Sequence, residues 1–133
     1  MKPLAVALLL CVTVGVAPAQ NSREMYVLSS ALVQLSSAVN ATLLYDRPSG
    51  FLSSEQLLKL SAAKNGRLLQ PFDGYRLEVL RDNNKAVVLV CDQKGRQALL
   101  EDAVCTPEVD KHHWREYPAK QCSFTLRPMA CGR

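Results

Sequence analysis

Both histidines of the chain and its only tryptophan fall in one stretch, Cys105 to Lys120, beside Glu108, Asp110, Arg115, Glu116 and Tyr117. Three chemistries use such residue types. A zinc site needs three or four convergent ligands, and the adjacent His112 and His113 do not easily meet at one ion, so no metal or other cofactor is assigned. General-base catalysis would use His112 or His113 with Asp110 to orient it. The same catalytic reading admits a carboxylate pair for glycoside cleavage, drawn from Asp102, Glu108, Asp110 and Glu116. No G-x-S-x-G elbow accompanies these residues, and the thiols are better used as disulfides.

Recognition is the third chemistry. Trp, Tyr, Arg and His on a loop are residue types that anchor protein interfaces, and a rigid scaffold presenting a loop is the usual arrangement for binding. His112, His113, Trp114, Arg115 and Tyr117 are therefore the candidate binding residues. The competing structural reading has Trp114 fold back to plug an end of the core.

The N-terminus supplies the address. Lys2, the apolar run Leu4 to Val16 and the A-x-A exit Ala17-Pro18-Ala19 read as a cleavable signal peptide over residues 1–19, cut before Gln20. Cys11 leaves with it, and Leu10 before it does not suit lipid attachment. Four thiols remain: Cys91, Cys105, Cys122 and Cys131. An even number in an exported chain implies two disulfides. The spacing favours Cys105–Cys122, with Cys91–Cys131 tying the tail to the sheet.

Composition excludes several classes. The formal charge of +4 comes from 16 basic and 12 acidic residues that are scattered, so no electrostatic footprint for nucleic acid exists. Aromatics make up only 6% and form no stacking ladder, while the six glycines are isolated at turns and cradle no phosphate. No stretch beyond residue 19 is read as a membrane span. Asn40-Ala41-Thr42 matches the glycosylation sequon, although it falls inside a predicted helix.

The elements that position the loop follow from periodicity. Met25, Leu28, Leu32, Leu35, Val39 and Leu43 recur every three or four residues and predict a helix over 22–44, with Asn21 and Glu24 as a capping pair. Ser29, Ser30, Ser36 and Ser37 are assigned to its outer face, whose lack of charge suggests that a partner covers it. After the break at 46–50, Ser53 and Gln56 form a capping box, with Leu52 and Leu57 as its hydrophobic staple. This second helix carries Leu57, Leu60 and Ala63 on its buried stripe and stops at Asn65-Gly66.

Tyr75 to Val79 then alternates as a half-buried strand, and Ala86 to Cys91 is apolar throughout, as a strand covered on both faces would be. Arg96 to Glu101 and Gln121 to Leu126 complete four strands. The expected fold class is α+β, with two N-terminal helices packed on a mostly antiparallel four-stranded sheet, stapled by disulfides as one domain over 20–133. The expected function is a secreted or periplasmic non-enzymatic binding protein: an inhibitor, an immunity-type protein or an envelope accessory factor. Its partner would be a protein of the envelope or extracellular space. The alternative is a small secreted hydrolase using a histidine and a carboxylate of the Cys105–Lys120 loop. A third possibility is a structural subunit whose first helix packs against copies of itself.

Overall fold

The computed structural model describes residues 18–104 and 121–128, with side chains from residue 23 onward. Helix α1 spans Pro18–Tyr45 and α2 spans Ser54–Ser61; two short 3-10 turns follow, at Gly66–Leu68 and Gln70–Phe72. Strands β1 (Arg76–Asp82), β2 (Lys85–Cys91) and β3 (Ala98–Asp102) form one antiparallel meander in the order β1-β2-β3.

The predicted stripe of α1 is the core. Leu28, Leu32, Leu35, Val39 and Leu43 are buried against Val88, Val90 and Leu100 of the sheet and Leu57 and Leu58 of α2. The helix begins earlier than its predicted start at Ser22, which puts Asn21 and Glu24 inside it.

Two serines assigned to the outer face are buried. Ser36 is fully enclosed and donates its hydroxyl to the Asp102 carbonyl at 3.2 Å; Ser29 donates to Met25 O at 2.7 Å. Each lies one residue from a buried leucine, so a contact stripe wider than the leucines alone takes it in.

The capping box at the start of α2 forms in both directions: Gln56 N–H donates to Ser53 Oγ at 3.2 Å, and Ser53 N–H donates to Gln56 Oε1 at 2.9 Å. The buried face of α2 differs from the predicted stripe. It is Leu57, Leu58 and Ser61, while Leu60 is exposed. The helix also stops short of Asn65-Gly66. Asn65 instead accepts from Arg67 N–H at 3.2 Å and caps the 3-10 turn, with Gly66 on the negative-φ side.

Helix side chains tie down all three strands, each by bonding to main chain that the sheet leaves unpaired. Ser54 accepts from Val79 N–H at 3.0 Å and donates to Val79 O at 3.3 Å, capping the outer edge of β1. Ser36 reaches β3, as above. Asn40 accepts from Ala86 N–H at 2.9 Å and donates to Ala86 O at 3.1 Å and Ser36 O at 2.9 Å. The β2–β3 ladder runs only as far as Val88↔Asp102, so beside Ala86 the Asn40 amide stands in for the strand that has ended. Asn40→Ala leaves a donor and an acceptor of Ala86 without these partners and should cost about 2–3 kcal/mol in urea unfolding. Asn40→Asp keeps the acceptor but sets a carboxylate oxygen against the Ser36 and Ala86 carbonyls, so its loss should be no smaller than that of alanine.

Tyr75 joins the start of β1 to α1, donating its hydroxyl to the Glu24 carboxylate. Burial, reinforced by the Glu24 hydrogen bond and charge, pushes the phenol from 10.0 up to about 12. Between those values the unfolded chain loses the proton while the folded chain keeps it. This contribution to stability is whole below pH 10.0 and is lost as pH rises to about 12. Tyr75→Phe should flatten that part of the stability–pH curve, as followed by thermal melts.

The fourth strand does not form. Gln121 makes one isolated bridge to Gln97, after which the chain crosses the face of the sheet opposite the helices. There Cys122 and Phe124 pack on Leu89, Cys91 and Ala98, giving β2 the second cover that its unbroken apolar run requires. The Thr125 and Leu126 amides turn onto a side chain of β3 instead of onto a neighbouring strand, which ends any ladder.

The disulfide pairing also differs from expectation. Cys91 bonds to Cys122, 31 residues away with Cα atoms 5.7 Å apart, so neither Cys105–Cys122 nor Cys91–Cys131 is made. Cys91 ends β2 on the face that the tail crosses, and this puts it next to Cys122. Cys105 and Cys131 lie outside the described residues.

Candidate functional site

His112, His113, Trp114, Arg115 and Tyr117 all fall between 105 and 120, outside the described residues. The structure describes the frame at each end of that segment. On the leaving side, Asp102 accepts from Ser36 Oγ through its carbonyl and from Val104 N–H through Oδ1 at 3.2 Å. Val104 itself adopts φ 64°, a region that β-branched residues rarely occupy.

The returning side is held at four successive places. Gln121 bridges Gln97, Cys122 N–H donates to Arg96 O at 2.9 Å, and Cys122 carries the disulfide. Phe124 packs on the sheet. Glu101 then closes the clasp: its carboxylate is fully buried and accepts from Thr125 N–H at 3.0 Å, from Leu126 N–H at 3.1 Å and from the Thr125 hydroxyl. Consecutive amides aimed at one anion form a small nest, and hydrogen bonds to a charged acceptor are the strong ones.

Glu101 is thus committed to holding the chain rather than to proton transfer. Sequence reasoning missed it, because a glutamate at the end of an alternating strand reads as solvent-facing. A signal was nevertheless present. Glu101 sits opposite Leu89, and an all-apolar β2 implies that this second face is covered.

Other chemistry among the described residues is sparse. No group of three or more His, Cys, Asp or Glu there could hold a metal ion. The sequon asparagine is already employed, with its side-chain nitrogen donating to Ser36 O and Ala86 O and Thr42 buried beside it, so a glycan would have to break the α1–β2 tie.

The outer face of α1 is the principal exposed apolar surface that the described residues show. From Met25 to Tyr45 the helix carries no charge, yet Tyr26 is 74% and Tyr45 78% exposed, with Val27, Val33 and Leu44 also open to solvent. Against its C-terminal half lies a shallow cleft of about 400 Å³, whose lining includes Ala41, Leu44, Tyr45 and Val104 and, from the β1–β2 turn and the start of β2, Asn84 and Lys85.

The segment Arg23–Tyr45 is long and apolar enough, at a mean hydropathy of 1.5, to meet the length-and-composition test for a membrane span. This sits against the expectation that nothing past residue 19 approaches one. Its leucine stripe is buried in the core, which accounts for much of that composition. An apolar helix near the N-terminus and a disulfide are compatible with export. No family model, curated protein or solved structure matches this chain.

Proposed function

We propose that this is a small exported binding protein without enzymatic activity, whose contact surface is the Cys105–Lys120 segment with Trp114 as its anchor. The single observation carrying the reading is the strength with which the frame fixes the segment's return. A disulfide, a main-chain bridge, an aromatic contact and a carboxylate clasp act on residues 121–126. A frame this firm lowers the entropy lost when a segment carried on it docks, which favours affinity. The disulfide supports an oxidising compartment, and the apolar N-terminal sequence supports export as the route there. The mechanism is docking or occlusion of a protein partner in the envelope or extracellular space.

Affinity capture from the envelope and extracellular fractions of the native host tests the proposal, with wild type and Trp114→Ala as baits. A partner held by wild type should be lost from Trp114→Ala, a drop of about 2 kcal/mol or more in binding, while the two baits melt together. Equal retention by both baits would contradict the anchor role. A lowered melting temperature would place Trp114 in the core. Turnover of ester, peptide or glycan substrates that disappears in His112→Ala or His113→Ala would favour the hydrolase instead.

A further inference from the structure

We propose that the outer face of α1 is a two-fold interface, on which a second copy of this chain packs its own α1 in antiparallel orientation. The face is self-complementary. A two-fold contact must bring one patch against itself, so residue i meets residue j and j meets i. About the point midway between Leu35 and Ser36, the exposed positions of α1 exchange with one another. Tyr26 takes the place of Tyr45, Val27 that of Leu44, Ser30 that of Ala41 and Gln34 that of Ser37. At 100° per residue Tyr26 and Leu44 lie on one side of the face's midline and Val27 and Tyr45 on the other, so in the antiparallel pair Tyr26 meets the partner's Leu44 and Val27 meets the partner's Tyr45. The tyrosines therefore fall at both ends, and Ser30, Ser37 and Ala41 leave room nearer the centre, beside Val33 and Gln34.

Charge favours the same partner. The helix has none over Met25–Tyr45, so two copies of α1 meet there without repulsion between their own side chains, and Lys85 lines the cleft beside them.

The area is sufficient for a weak specific dimer. Tyr26 to Tyr45 spans about 28 Å of helix. The five large exposed apolar side chains offer on the order of 600 Å² per copy, roughly 1,200 Å² over the pair, at the lower edge of specific interfaces. The cleft beside Leu44 and Tyr45 lies where the partner's Tyr26 arrives, and it gives that ring a seat.

Sedimentation of the purified, oxidised protein over a concentration series tests this. A monomer–dimer equilibrium is expected. Ser37→Arg and Gln34→Glu should each raise the dimer dissociation constant at least tenfold with an unchanged melt, since both residues are exposed. Mixing the two variants should restore a heterodimer, because the dyad sets the guanidinium introduced in one chain opposite the carboxylate introduced in the other. A protein that stays monomeric at high concentration would overturn the proposal, as would a dimer indifferent to Ser37→Arg or variants that fail to rescue one another. Monomers that instead float with phosphatidylcholine–phosphatidylglycerol vesicles would assign the face to lipid and overturn it equally.

Discussion

Glu101→Ala should lower the free energy of unfolding by about 3 kcal/mol, with Glu101→Gln falling between it and wild type. The wild-type carboxylate gathers two consecutive amides and a hydroxyl from Thr125 and Leu126 at a position fully shielded from water. Alanine removes all of these bonds and leaves a void beneath the crossing chain. Glutamine keeps one carbonyl oxygen, but it turns an NH₂ group towards donors and gives up the charge that strengthens the bonds. Thr125 is exposed and water can reach its amide once the clasp opens, which is why the expected cost stays below the sum of three buried charged bonds. Urea titration measures the effect. A Glu101→Ala protein within 1 kcal/mol of wild type, taken as about the value of one ordinary hydrogen bond, would show that the clasp is decorative.

Removing the Cys91–Cys122 bond should cost slightly more, about 3–4 kcal/mol, as expected for releasing a loop with a sequence separation of 31 residues. The variant to use is Cys91→Ala with Cys122→Ala, because serine would bury a hydroxyl at the fully enclosed end of β2. Reduction of the wild-type protein should lower its melting temperature in the same direction.

Non-reducing peptide mapping reads the pairing itself and should recover Cys91 linked to Cys122. If all four thiols outside the first nineteen residues are oxidised, Cys105 and Cys131 are then left to pair with each other. Recovery of Cys91–Cys105 or Cys105–Cys122 would contradict the structure.

The elements legible in the sequence were those set by short-range chemistry. The α1 leucine stripe, the Ser53–Gln56 capping box and the turns at 82–84 and 92–95 each follow from side chains a few residues apart, and all are present. The continuous apolar character of β2 reported burial on both faces correctly, because no polar residue there demanded water. What failed depended on contacts distant in sequence. Cys122 and Phe124 alternate with polar neighbours as a strand would, yet Glu101 bends the following amides away from any ladder. Its partner residues lie 24 and 25 positions further on.

The cysteine pairing failed for a related reason. A short loop between Cys105 and Cys122 is favoured by chain entropy, but the second face of β2 needed cover and drew the tail across it. Leu60 was misassigned because an eight-residue helix leaves its stripe ambiguous by one position, and packing against both α1 and β1 decides it. Of the candidate site, the sequence names the side chains and the structure supplies their two anchor points.

The proposed function stands or falls on whether the Cys105–Lys120 segment, held by this frame, meets a protein partner outside the cytoplasm. Site-specific photocrosslinking in the native host reads that contact itself. A photoreactive residue is placed at Trp114, at Tyr117 or at Phe51, which is 99% exposed and far from the clasp in sequence. One shared protein adduct is expected from positions 114 and 117 and none from 51. The proposal would be contradicted if neither 114 nor 117 gave an adduct while the protein remained folded and oxidised, or if 51 captured the same partner equally well.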